Sequence, residues 1–353
     1  MKRGTALKQA KVLVVDDSAL IRLMIRDILA SDPSIVTKKA IDGKDALEKI
    51  ASWSPDVVTL DVAMPRMGGL ETLGLIMKKH PTRVIMLSGL DDPKTVFEAL
   101  SLGAIDFIVK PLRKAGGLDK LRTELLAKVS MAAQVDLSKL SNSRSARAAQ
   151  IKNRKCGTGK KAVAIGASTG GPPALEEIVR ALPADFTYPV FVVQHLPVGF
   201  SQSLAKRLDN ASRLKVKQGE DGEVVQNGVV YLAPGGYHLT IDRPKSNIAE
   251  IIRLDQEPPQ NGVRPCADRL MNSVAEIYGP GSLGVILTGM GHDGAVGMAA
   301  IKKAGGKTVV QDRKSCVVFG MSSAVIKKDC ADKVVPLENI TEEIVKAVSA
   351  EEE

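Results

Sequence analysis

The sequence predicts an α/β protein of two domains, each a doubly wound, mostly parallel sheet: a five-stranded domain first, then a Rossmann-like one. Three features predict this. Strand-like apolar runs alternate with amphipathic helical runs along both halves, and such alternation builds βα units on parallel sheets. The 353 residues are enough for two sizeable cores. Between the halves, Ser138–Lys161 holds eight Lys/Arg and no acid, with neither helical nor strand periodicity, which reads as a flexible spacer. The expected division is residues 10–130, a basic linker over 131–160, and residues 161–350.

In the first half, Lys11–Asp16 (KVLVVD) is an apolar strand run. Ala19–Leu29 follows with Leu20, Met24 and Ile28 beside Ile21 and Ile25, the three- and four-residue spacing of a helix. Ile35–Ala40 is a weaker strand, followed by an Asp42-Gly43 turn and a helix around Ala46–Ile50. Val57–Leu60 ends in Asp61, Val84–Leu87 in Ser88, and Ile105–Val109 in Lys110-Pro111. Ligands of open parallel sheets gather at the carboxyl ends of strands, and those ends carry Asp16, Asp17, Asp61, Ser88 and Lys110. Three carboxylates in one cleft repel unless a cation joins them. A hard divalent ion such as Mg²⁺ suits these oxygens and can also hold a phosphoryl group, for which Lys110 supplies a charge and Ser88 a hydroxyl. Asp17-Ser18 taken alone reads as a helix cap; five polar residues on several strand ends read as a site.

In the second half, Lys161–Gly166 (KAVAIG) is a strand, and a helix starts near Pro172, a residue favoured in a first helical turn. The loop between them almost spells G-x-G-x-x-G, but Ser168 stands where the backbone of a dinucleotide site would approach pyrophosphate. The next strand, Val190–Val193, ends in Gln194-His195 where such a site needs an acid. Gly157-Thr-Gly-Lys160 fails as a phosphate loop, because it lacks the upstream glycine, is followed by Lys161, and precedes its strand. A serine on a strand-to-helix turn meets the positive end of the helix and resembles a nucleophile elbow. It then needs a base and a group that orients the base. Of the four histidines, His80 lies in the first half, His238 in a Gly-rich hairpin-like stretch and His292 in LTGMGHDG; His195, on the neighbouring strand end, is the best base. Ser282–Leu287 is a further strand, and Asp293 after it is the best orienting acid. Asp293 also reads as an N-cap for a helix over Ala295–Ala304, and Asp268 in VRPCAD is the second candidate.

Composition excludes several classes. The chain is 44% hydrophobic and 25% charged, as soluble proteins are. No apolar run approaches the roughly 20 residues of a membrane helix, and no apolar segment follows Met1–Thr5 as a signal peptide requires, so a cytoplasmic protein without membrane insertion is expected. Cys156, Cys266, Cys316 and Cys330 form no C-x-x-C pair and read as free thiols. The net charge of +9 is concentrated in the linker, and only 3% of residues are aromatic, which argues against nucleic acid as a partner.

The runs VLVVDDSALIR, LDVAMPRMGGLE, MLSG and DFIVKP resemble a response-regulator receiver domain. The resemblance implies that Asp61 accepts a phosphoryl group from a histidine kinase and that Asp16, Asp17 and Asp61 bind Mg²⁺. It further implies that Ser88 and Lys110 sense the phosphoryl group and that Phe107 is the aromatic switch. Met67-Gly68-Gly69 departs from the M-x-D-G of many receivers. GASTGGP, VVQHLP, YLAPGG and TGMGHDG resemble the catalytic domain of the chemotaxis protein-glutamate methylesterases. That resemblance implies a triad of Ser168, His195 and Asp293, with Thr169 and Met290 on the oxyanion side. It implies hydrolysis of glutamyl methyl esters on chemoreceptors with release of methanol, glutamine deamidation as a second activity, no cofactor for the ester chemistry, and a receiver that restrains the esterase until phosphorylated. Val263–Asp268 (VRPCAD) stands where the family often reads HRPSVD, a change that touches the substrate groove rather than the triad.

Overall fold

The computed structural model describes residues 9–89, 92–110, 117–138, 160–244 and 249–349. Most of the expected linker, with Cys156, and also Pro111 lie outside the described residues. The chain divides into two compact units, Met1–Ser141 and Asn142–Glu353.

The first unit runs β1 (Ala10–Val15), α1 (Ala19–Ala30), β2 (Ile35–Ala40), α2 (Gly43–Trp53), β3 (Val57–Asp61), α3 (Gly69–Lys79), β4 (Arg83–Ser88), α4 (Pro93–Leu102), β5 (Asp106–Val109) and α5 (Gly117–Ala132). Its strands pair in parallel in the order β2-β1-β3-β4-β5. Val12–Val15 and Val84–Leu87 are buried along their whole length, as strands covered on both faces by helices must be. Caps set the helix starts. Ser18 Oγ accepts from the Ile21 N–H, and Asp42 Oδ1 accepts from the Asp45 N–H at 2.9 Å. The Asp42 cap starts α2 at Gly43, earlier than its apolar spacing indicated.

Helix α3 lacks such a cap. Gly68 holds the extended conformation of an N-cap (φ −68°, ψ 164°) but offers no side chain, and a Cβ there would meet nothing within 4 Å. Gly68→Asp should therefore stabilise this unit by about 0.5–1 kcal/mol, through the added cap and the loss of glycine entropy in the unfolded chain. The readout is a higher urea midpoint for the transition of this unit. An unchanged or lower midpoint contradicts the capping account.

The second unit runs β6 (Ala162–Ala167), α6 (Gly171–Ala181), β7 (Val190–Gln194), α7 (Ser201–Ala211), β8 (Lys215–Gln218), β9 (Val229–Leu232), β10 (His238–Asp242), β11 (Ile251–Asp255), α8 (Ala267–Tyr278), β12 (Ser282–Ile286), α9 (Ala295–Lys303), β13 (Lys307–Gln311), α10 (Met321–Lys327), β14 (Lys333–Val335) and α11 (Leu337–Ser349). Seven strands form a parallel sheet in the order β14-β13-β12-β6-β7-β9-β8. The hairpin-like stretch around His238 is the antiparallel pair β10–β11. The chain starts at the centre with β6, builds to one side through β7, β8 and β9, and returns to the other side through β12, β13 and β14. The direction reverses at β6, and the crevice at such a reversal, above the carboxyl ends of the strands, is where open α/β sheets bind ligands. The core beneath it includes Ala164, Phe191, Val193, Met271, Ile286 and Met298. No helix among the described residues is long and apolar enough to cross a membrane.

Candidate active site

At the reversal, Ser168 and His195 directly follow the ends of β6 and β7, and Asp293 lies in the loop between β12 and α9. Ser168 follows β6 directly, half-buried, on a turn of three residues before α6. Its N–H donates to the Thr288 carbonyl at 3.0 Å, which ties the turn to the loop after β12. Two glycines make room. Gly170 has φ +78°, and a Cβ on it would lie 2.8 Å from Val317. A Cβ on Gly289 would lie 2.8 Å from the Cβ of Ser168. The serine thus stands at the N-terminal end of an 11-residue helix, where unsatisfied N–H groups favour negative charge.

His195 continues β7. Its N–H donates to the Ala167 carbonyl at 3.1 Å, so base and serine emerge from paired strand ends. Its Nε2 meets Asp293 Oδ2 at 2.7 Å. With Nε2 engaged there, Nδ1 is the ring nitrogen that Asp293 does not hold. Among the described residues no hydrogen bond joins Ser168 Oγ to the imidazole; such contacts often tighten only when substrate binds.

Asp293 is buried and accepts six donors. Oδ2 takes His195 Nε2 and the Ala267 N–H; Oδ1 takes the Asp268 and Gly294 N–H groups, the Cys266 thiol at 2.9 Å and Asn261 Nδ2 at 3.2 Å. Burial pushes its carboxyl up, but the His195 contact and the remaining donors outweigh that and hold it well below the usual carboxylate range. It therefore stays an anion. The Ala267 and Asp268 N–H groups belong to the first turn of α8, so Asp293 caps α8. This differs from the sequence reading, which placed it on the helix after it. That helix, α9, is capped by Asp268 instead, whose Oδ1 accepts the Val296 and Gly297 N–H groups at 2.9 and 2.8 Å. The two helices exchange carboxylates, and Asn261 Nδ2 bridges the pair. Asp268 does not contact His195 as the second candidate for orienting acid would have to; burial and the charge of Asp293 push its carboxyl up.

Cys266, Asp268 and Asp293 lie close enough together to suggest a metal centre. They do not fit one, because the carboxylate oxygens facing each other already accept N–H and S–H donors. Burial and the adjacent Asp293 charge push the Cys266 thiol far up, so it stays a donor. Thr169 is buried beside the serine, and its carbonyl accepts Thr288 Oγ1 at 2.9 Å. Met290, next to Gly289, is exposed on the rim. His238 is buried with Nε2 on the Pro258 carbonyl at 3.3 Å, away from this set. The residues that sequence reasoning missed are Gln194, Asn261 and Cys266. Gln194 carried a signal, since it is a polar residue closing a buried strand.

In the first unit the strand ends converge as well. Lys110 Nζ lies between Asp16 Oδ2 (2.7 Å) and Asp61 Oδ1 (2.8 Å). Asp16 and Asp61 are buried and Asp17 is exposed, and an oxygen from each lies within 4.8 Å of the others. Burial pushes the Asp61 carboxyl up, against the pull of Lys110. Such a set of oxygens around one lysine fits a hard divalent cation. Ser88 is buried with Oγ on the Gly89 carbonyl at 2.9 Å. Phe107 is buried, with Lys128 Nζ 5.4 Å above its ring.

Residues 163–344 match the family model of the CheB methylesterase, and residues 12–122 that of the response regulator receiver domain. The chain is 44% identical over 350 residues to the protein-glutamate methylesterase/protein-glutamine glutaminase of Pyrococcus horikoshii, covering 97% of this chain and 94% of that one. It is 46% identical over 341 residues to the protein of the same name from Archaeoglobus fulgidus, covering 95% and 97%. The crystal structure of the Thermotoga maritima CheB methylesterase catalytic domain superposes with a TM-score of 0.51 at 45% identity, over 54% of this chain and 99% of that one.

Proposed function

The chain belongs to the CheB methylesterase family and carries a receiver domain ahead of the esterase; from that premise we propose that it is a phosphorylation-regulated serine hydrolase that removes methyl groups from glutamyl side chains of chemoreceptors in the cytoplasm. The observation that carries the reading is the His195–Asp293 contact of 2.7 Å at the strand end paired with that of Ser168. In this mechanism Ser168 Oγ attacks the ester carbonyl as His195 Nδ1 takes its proton. Asp293 holds the imidazole in the required tautomer and stabilises its positive charge. N–H groups beside Thr169 and Met290 steady the oxyanion, each worth about 3 kcal/mol. The bond to the methoxy oxygen breaks, His195 returns the proton, and methanol leaves. Water, activated by His195, then cleaves the acyl-serine and frees the glutamate. A glutamine side chain reacts in the same way with ammonia as the leaving group. A fluorophosphonate probe should label the chain at Ser168; labelling elsewhere, with no methanol released from a methylated receptor, overturns the reading.

For the receiver, Asp61 is the phosphoryl acceptor, and Asp16 and Asp17 join it in holding Mg²⁺. When bound, the ion neutralises the carboxylates and the incoming phosphoryl oxygens. Lys110 and Ser88 contact the phosphoryl group, and Phe107 changes its packing in response. Phosphorylation shifts the population from a restrained to an active esterase. The donor is a histidine kinase in the cell and acetyl phosphate in the test tube. Acetyl phosphate should raise the rate of methanol release. Asp61→Asn, or chelation of divalent ions, should remove that response; stimulation that survives Asp61→Asn places the acceptor elsewhere.

A further inference from the structure

Resting on the triad just proposed, we propose that Gln194 is a positioning residue whose carboxamide clamps the nucleophile and the base into one frame. Gln194 closes β7, immediately before His195, and is 2% exposed. Its Nε2 donates to the Ser168 carbonyl at 2.9 Å and to the His195 carbonyl at 3.3 Å. The two N–H groups of one planar amide thus span the two strand ends whose side chains must react. Only a neutral group with two donors does this. A glutamate would bring acceptors to acceptors, and an apolar residue would take the donor from the His195 carbonyl and leave the Ser168 carbonyl with the Gly171 N–H alone.

The other end of the same carboxamide shows that the arrangement is held against a cost. Oε1 is buried and has no hydrogen-bond partner among the described residues, and an unmade bond of that kind opposes folding. Gly171, the first residue of α6, is the reason it fits. A Cβ on Gly171 would lie 1.9 Å from Oε1 and 2.9 Å from the Ala167 Cβ. Gly171 does not have a positive φ, so its backbone does not require glycine. The missing Cβ makes space for the carboxamide. An uncompensated polar atom, a glycine with no backbone need and a two-pronged donor all meet where Ser168 and His195 leave their strands.

Two variants test this from opposite sides. Gln194→Met keeps the length of the side chain and removes both donors. Gly171→Ala leaves Gln194 in place and pushes its carboxamide, the flexible partner in the collision, off the two carbonyls. Misplacing reacting groups by about 1 Å costs about 100-fold. Both variants should therefore lower kcat for methanol release about 100-fold, leave KM for the methylated receptor within about twofold, and slow fluorophosphonate labelling of Ser168 in the same ratio. Rates are measured in the full chain and normalised to sites labelled at end point, so partial unfolding does not enter. If Gln194→Met fails to fold, Gly171→Ala decides. Unchanged kcat per labelled site in Gly171→Ala overturns the clamp. A wild-type chain that neither labels at Ser168 nor releases methanol overturns the triad itself, a different outcome.

Discussion

Ser168→Ala is expected to lower methanol release from methylated receptors by about 10⁴–10⁶-fold while leaving the fold intact. The size follows from the role: without Oγ no acyl-enzyme forms, and only the oxyanion donors and binding remain to assist water. The intact fold follows from the contacts. Ser168 is held through its backbone, by its N–H on Thr288, its carbonyl to the Gly171 N–H and its carbonyl to Gln194 Nε2. Among the described residues its Oγ makes no hydrogen bond, so its removal strands no partner. Gly289, which lacks a Cβ that would press on the serine Cβ, accommodates alanine equally well. Labelling by fluorophosphonate should vanish and binding of methylated receptor should persist. Turnover within about tenfold of wild type would falsify the assignment, since no other mechanism here needs this hydroxyl.

The position of Ser168 at a strand end was legible from sequence because the information was local. A serine between a buried strand and a helix with proline in its first turn sits at a strand end whatever the rest of the chain does. The same holds for His195 after VFVV and for Asp61 after VVTL. Strands with uninterrupted apolar runs, such as β1, β3, β4 and β7, were legible for the same reason. What was not legible depends on contacts across the sheet. Asp293 and Asp268 are both acids near helix starts, and spacing alone assigned Asp293 to the helix that follows it. The packing of α8 against α9 reverses this, so that each helix receives its cap from a residue of the other's N-terminal region. Cys266 read only as a free thiol for the same reason: its partner lies 27 residues away. The stretch VRPCAD, expected to touch the substrate groove rather than the triad, instead donates to Asp293 through the Cys266 thiol and the Ala267 and Asp268 N–H groups. Gln194 was visible as a residue type, but its task depends on the carbonyls of Ser168 and His195 meeting above one strand end.

Asp293→Asn should be the second most damaging substitution, lowering kcat about 10³–10⁴-fold. The carboxylate accepts from six donors and donates to none. An amide must turn its NH₂ toward one side. If it keeps its oxygen on the Oδ1 side, where the Asp268 and Gly294 N–H groups, Cys266 and Asn261 converge, the NH₂ faces His195 and the Ala267 N–H. The imidazole must then accept at Nε2 and carry its proton on Nδ1, the nitrogen that should receive the serine proton. The base is lost to the wrong tautomer, and the Ala267 N–H loses its acceptor. The same change should destabilise the second unit by roughly 3 kcal/mol, since a buried anion with charge-assisted bonds is replaced by a mismatched amide. The pH dependence has a definite sign. A carboxyl held below its ordinary value of 3.8 contributes stability that is complete above that value and is lost as the pH falls through the lower folded value. The stability gap between wild type and Asp293→Asn should therefore be largest near neutral pH and narrow in acid. Asp268→Asn separates capping from catalysis: it uncaps α9 but leaves the imidazole's partner in place. It should cost comparable stability with kcat within about tenfold of wild type. Equal losses of kcat in the two variants would mean that the exchange of caps, rather than the Asp293–His195 contact, is what the reaction needs.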